Sequence, residues 1–162
     1  GTGDAGYAPL PDEDTERKMY HHTERVLKEY GYHRYEISNY AKPGYECVHN
    51  LGYWNRTEYL GIGDGAASLI DNVRWKEGEE DREVLSIKEQ MEEFMFLGLR
   101  KTEGVSVERF YRIFHRPMEE IYGDTVEELC QKKLLARSGD FIHLTERGTD
   151  ISNYVMCEFL KD

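Results

Sequence analysis

The apolar positions change period several times along the chain. From 11 to 31 they recur at helical spacing, with Met19, Val26, Leu27 and Tyr30 as the stripe. Pro11 followed by Asp12, Glu13 and Asp14 suits the positive start of a helix, and Gly31 is placed to end it. Tyr32 to Ser38 then read as a short strand, so the segment predicts the αβ half of a βαβ unit. One such unit cannot close a barrel or bury a parallel sheet by itself. Its strand is expected to have unpaired edges unless it packs on its own helices or pairs with another chain.

Residues 39–75 hold no sustained period and predict a turn-rich connection with strands near 58–62 and 66–70. The run 76-KEGEED-81 marks the expected boundary between a first domain, 1–78, and a second, 79–162. Beyond it Leu85, Met91, Phe94, Met95, Leu97 and Leu99 predict a helix over 83–101. Ser106 is placed to cap a helix in which Val107, Phe110, Tyr111 and Phe114 turn inward. A third helix is expected over about 124–134, carrying Val126, Leu129, Cys130 and Leu134. Residues 134-LLARSGDFIHLT-145 predict a hairpin around a Ser-Gly-Asp turn. Thr145 then caps a final helix through Leu160, with Ile151, Tyr154, Val155 and Phe159 as its inward stripe. Three helices, a hairpin and a helix is a winged-helix-like order, and the expected class is α+β.

Composition narrows the partners. With 39% hydrophobic and 33% charged residues, the 162-residue chain can form a packed core. A net charge of −11 repels phosphate backbones. The expected wing offers Arg137 and little other positive charge, so nucleic acid is not an expected partner despite the winged-helix order. The acidic runs 77–83 and 118–128 read as solvated surface. No stretch approaches the roughly 18 apolar residues that would span a membrane. The first residues show no basic region followed by an apolar run, so no signal peptide is read there. Cys47, Cys130 and Cys157 lie far apart, which argues against a disulfide framework or a local metal cassette and for a reducing cytoplasm.

Three segments could carry chemistry. In 60-LGIGDGAASLI-70 the glycines would let backbone N–H groups approach a ligand, although glycines in a tightly packed strand account for the pattern as well. In 49-HNLGYW-54, His49 could ligate iron, move a proton or bond to local backbone, and Tyr53 and Trp54 could stack on a planar ring. In 35-YEISNYAKPGYEC-47, Glu36 sits within the strand, either as a satisfied structural carboxylate or facing a ligand.

Taken in order, YEISNYAKPG, ECxHNLGYW, YLGIGDGAAS, LGLRKTEGV and LARSGDFIHLTERG resemble the oxygen-independent coproporphyrinogen III oxidase-like family of radical S-adenosylmethionine proteins, most closely its haem-chaperone branch. The resemblance covers nearly the whole chain. It implies the end of a partial (β/α) barrel followed by a mainly helical, winged-helix-like domain with a small hairpin. It implies a [4Fe–4S] cluster held by a CxxxCxxC motif, and bound S-adenosylmethionine. It implies either oxidative decarboxylation of coproporphyrinogen III or the binding and delivery of haem, with a haem-receiving protein as a partner. This chain contains no CxxxCxxC, so the cluster and most of the barrel are expected to lie upstream and the chain alone to be inert, with no catalytic residue of its own. By the same resemblance Gly61, Gly63 and Ala67 lie on the S-adenosylmethionine side, and His49, Tyr53 and Trp54 on the haem side. The second domain could also serve as a protein-interaction module.

Overall fold

The computed structural model describes residues 10–160. Gly1 and Thr2, where the family resemblance begins, lie outside the described residues. Helix α1 spans Glu13–Glu29, and Asp12 caps it by accepting the Thr15 N–H at 2.8 Å. Acidic Glu13, Asp14 and Glu16 occupy the first turn, as the positive helix end favours. The inward face differs from the expected stripe. Met19 and Tyr30 are 58% and 72% exposed. Val26 and Leu27 of that stripe are half-buried, and Tyr20 and Glu24 join Leu27 on one face. The reason is polar docking: the Tyr20 hydroxyl donates to the Ile37 carbonyl at 2.8 Å and receives a bond from Arg34.

The strand expected over 32–38 is shorter, because the chain folds back at once. β1 (His33–Arg34) pairs antiparallel with β2 (Tyr40–Ala41). Its continuation is closed by residues far along the chain. Ile37 N–H donates to Arg100 O at 3.0 Å, Thr102 N–H donates to Tyr35 O at 3.1 Å, and Glu36 bridges Lys101. The open edge is thus covered by the segment that follows the long helix of the second half.

Residues 39–75 contain a helix that the irregular pattern conceals, α2 (Val48–Trp54). Only one of the two expected strands is fully formed. β3 is Ala67–Ile70, while the 58–62 segment contributes a single bridge, Tyr59 to Leu69. Asp71 and Asn72, both at positive φ (51° and 59°), make a tight two-residue turn into β4 (Val73–Lys76). The break at 76–81 connects β4 to β5 (Glu83–Val84), and the two pair across it. The helix expected from 83 therefore starts later, as α3 (Ile87–Gly98). Ser86 sets that start through a capping box: its Oγ accepts the Glu89 N–H at 3.2 Å, and Glu89 accepts the Ser86 N–H at 2.7 Å. Ser86→Ala is expected to lower the free energy of unfolding by about 1 kcal/mol. Urea unfolding of both proteins measures it, and an unchanged midpoint would refute it.

The second half follows the predicted order with shifted ends. A short β6 (Val105–Ser106) leads into α4 (Val107–Phe114), capped by Ser106 as expected. Phe110 and Phe114 are buried as the pattern places them, whereas Tyr111, also placed inward, is 55% exposed. α5 (Met118–Gln131) begins six residues before its predicted start, inside the acidic run. The acids do face water, but Met118, Tyr122, Val126 and Leu129 alternate with them on a buried face. The hairpin of β7 (Leu135–Ser138) and β8 (Phe141–Leu144) forms as predicted, and β6 joins it in the order β6-β8-β7. The single last helix is two, α6 (Glu146–Asp150) and α7 (Ser152–Cys157), divided where Ile151 leaves helical geometry. Ile151 and Tyr154 are consequently turned out, while Val155, Met156 and Phe159 are buried.

The core lies between α3, α4, α5 and α7. Its centre is aromatic: Phe110 stacks with Phe94 (5.4 Å), Phe114 (4.7 Å) and Tyr122 (6.1 Å), and Tyr122 with Phe159 (5.4 Å). Burial, with the charge of Glu92 second, pushes the Tyr122 hydroxyl pKa up to about 12.

Candidate functional site: helix α2 and the glycine loop

Helix α2 carries the HNLGYW segment. A helix of two turns has little stability of its own, so its position depends on what grips it. Trp54 packs beneath Arg100, whose guanidinium lies 4.5 Å from the ring centroid. Arg100 in turn faces the fully buried Glu36 at 3.8 Å. Glu36 Oε1 accepts from Ser38 N–H (2.8 Å) and Asn39 Nδ2 (2.6 Å), while Oε2 accepts no hydrogen bond among the described residues. Just past the helix, Asn55 receives bonds from Lys101 and Arg109. Arg56, at φ 53°, pairs with Glu93 of α3 at 3.0 Å, and Arg74 of β4 bonds the same carboxylate. Three basic side chains of the second half thus hold this short helix and its C-terminal turn, and Glu93 holds Arg56 of that turn.

The helical turn separates the three expected haem-side residues. His49 and Tyr53 are four apart and share a face, whereas Trp54 lies about 100° further round. His49 is exposed, and its imidazole makes no hydrogen bond or ion pair among the described residues. Tyr53 is 43% exposed, with its ring edge-on to Trp54 at 5.3 Å and tilted to Tyr59 at 5.5 Å. Trp54 is turned toward the second half, and its indole N–H is buried without an acceptor among the described residues. His49 and Tyr53 therefore present surface to a planar ligand, while one face of Trp54 is already taken by Arg100.

The glycine loop meets α2 through a cleft of about 560 Å³, lined by Tyr53, Tyr59, Ala67, Arg74 and Glu93 among others. Of the residues expected on the S-adenosylmethionine side, Ala67 lines this cleft and is exposed. Gly61 has a packing role: a Cβ there would sit 2.4 Å from the Ala67 carbonyl oxygen, and its N–H already donates to Ser68 Oγ at 3.0 Å. Nothing lies within 4 Å of a Cβ built on Gly63. The cleft brings Tyr53 and Ala67 together but contains neither His49 nor Trp54.

An iron–sulfur cluster does not fit these residues. Cys47 and Cys157 are exposed and Cys130 half-buried, and among the described residues no three metal-ligating side chains converge. No helix among them is long and apolar enough to cross a membrane. Asn55, Lys101 and Arg109 escaped the sequence reading. The Asn-Arg pair directly after YW, at a helix end, was the available signal.

Known proteins resemble this chain in sequence and in fold. Residues 85–151 match the family described as HemN C-terminal domain. The haem chaperone HemW of Lactococcus lactis subsp. lactis (strain IL1403) is 40% identical, over 97% of this chain and 45% of its own length. That of Bacillus subtilis (strain 168) is 35% identical, over 96% of this chain and 45% of its own length. The chain thus spans less than half the length of these relatives. In structure it resembles coproporphyrinogen III oxidase (HemN) from Escherichia coli, described as a radical SAM enzyme, with a TM-score of 0.69 over 93% of this chain and 42% of that one. At 14% identity this likeness shows the fold alone. The chain carries the HemN C-terminal domain over residues 85–151, and along nearly its whole length it is homologous to the haem chaperones HemW.

Proposed function

We propose that this chain is the C-terminal portion of a cytoplasmic haem-handling protein, and that His49 is an axial ligand to the iron of bound haem. The observation that carries the reading is the placement of His49: an exposed, unengaged imidazole on a helix held rigidly from behind, with Tyr53 on the same face. A neutral imidazole is a good iron ligand, and an adjacent aromatic edge suits a flat macrocycle. Haem delivery is favoured over coproporphyrinogen decarboxylation because an open face can pass its cargo to a receiving protein. The relatives named haem chaperone support the same choice.

In this reading the cluster and the radical chemistry of S-adenosylmethionine belong to an upstream part of the parent protein, and the chain by itself starts no radical reaction. Ala67 and Gly63 would border the bound S-adenosylmethionine, with Gly61 acting only through packing. The division at residue 78 then separates the end of the barrel from its C-terminal domain. The test is haem titration of the chain and of its His49→Ala variant, followed by absorption spectroscopy. The expected result is a Soret shift in the parent, with affinity at least about tenfold weaker in the variant. Identical spectra and affinities would remove His49 as a ligand.

A further inference from the structure

Lys101 and Arg109 of α4 come together beside the end of α2, and among the described residues no carboxylate forms an ion pair with either. Lys101 Nζ donates to Asn55 Oδ1 at 2.7 Å, and Arg109 Nη1 donates to the same oxygen at 2.8 Å. Arg109 Nη2 takes the Asn55 carbonyl oxygen, also at 2.8 Å. Two cations therefore share one neutral side-chain oxygen. Their neighbours differ. Arg56 and Arg74 share Glu93, Arg112 pairs with Glu108, and Arg100 faces Glu36.

The arrangement is costly as it stands. Burial holds the Lys101 ammonium below its ordinary pKa, the charge of Arg109 adds to that, and Glu103 offsets part of it. Burial lowers Arg109 as well. The two side chains line a pocket of about 250 Å³ together with Trp54, Phe94, Val105 and Phe141, and among the described residues Glu103 is the one carboxylate in its wall. The Trp54 indole N–H is buried without an acceptor among the described residues. An ammonium carries three donors and a guanidinium five. Donors therefore outnumber acceptors throughout this pocket, and like charges at close range raise its energy. A ligand that supplies negative oxygens reverses both deficits.

We infer that this pocket binds an oxyanion carried on a short apolar stem, a carboxylate or a phosphate ester. The volume is below the usual range for drug-sized ligands, so it suits a small anion or one acidic arm. The aromatic and aliphatic walls suit the stem, and the paired cations suit a two-oxygen head. The site lies apart from His49 and does not depend on the haem reading.

Trp54 and Trp75 are the two tryptophans in the chain, so Trp54 reports the site. The indole ¹H–¹⁵N resonance of Trp54, assigned with Trp75→Phe, is followed during titration of the chain with inorganic phosphate and, separately, succinate. Sodium chloride at matched ionic strength is the control. The expected result is a saturable shift at millimolar concentrations with at least one of the two anions and none with chloride. Response to succinate alone assigns a carboxylate, and to phosphate alone a phosphate ester. Lys101→Met should weaken binding roughly tenfold to a hundredfold, whereas Lys101→Arg, which keeps the charge, should stay within about threefold. If Lys101→Met fails to fold, Arg109→Lys against Arg109→Gln makes the same comparison. No saturable shift with either anion, or equal binding in the charged and neutral variants, overturns the inference.

Discussion

Phe110→Ala is expected to cost about 4 kcal/mol of folding stability, the largest loss from any single truncation in the core. The ring is fully buried and contacts Phe94, Phe114 and Tyr122, side chains of three different helices. Each edge-on partner contributes beyond the area it covers, by about 0.5–1.5 kcal/mol. Collapse around the cavity is restricted, because Phe94 is also fixed by the Arg109 guanidinium at 5.8 Å and Tyr122 by Phe159. Domains of this size have a total stability of only about 5–15 kcal/mol. In urea the midpoint should fall by about 1.5–3 M. A fall below about 0.5 M would show that the aromatic centre is not what holds the second half together.

Gly104→Ala should be nearly as damaging, by about 3–5 kcal/mol, for a different reason. Residue 104 sits at φ +85°, where a side chain is strained. A methyl there would meet the Ile142 carbonyl oxygen at 2.0 Å and His143 Cα at 2.7 Å. Both obstacles are backbone of β8 and cannot rotate aside. Relief requires moving β6 off its partner, which breaks the pairing of Val105 with Ile142. Thermal melting measures the loss, and hydrogen exchange locates it: amides of β6 should lose protection before those of the β7–β8 hairpin. Uniform loss, or none, would contradict this account.

What the sequence made legible was governed by period. The second half has long runs at helical spacing with Ser and Thr caps, so α3, α4, the hairpin and the Thr145 cap are all readable. The errors there came from acids that hid Met118 and Tyr122, and from the irregular Ile151 within an otherwise helical stripe. In the first half the stabilising contacts are polar and distant. Tyr20, Arg34 and Glu36 dock through hydrogen bonds that no hydrophobic pattern reveals, and α2 is too short to show a period. His49 and Tyr53 could be singled out by residue type. That Trp54 faces the other way, and that Asn55 gathers two cations, depends on Lys101 and Arg109 arriving from 46 and 54 residues away.

The joint between residues 34–37 and 100–102 bears on how this chain tolerates changes in length. Thr102 Oγ1 reaches the Arg34 carbonyl across 68 residues, so everything between forms one large closed loop pinned at its base. Closing such a loop costs entropy that grows only logarithmically, about 0.6 kcal/mol for each doubling. A few residues inserted into the Glu77–Arg82 connection would therefore cost a small fraction of a kilocalorie per mole in closure. The same insertion between Glu36 and Asn39, where the carboxylate clasps its own turn, would break the bonds at the base. The excursion that displays His49 and the glycine loop is thus free to vary in length, while its two anchoring ends are not.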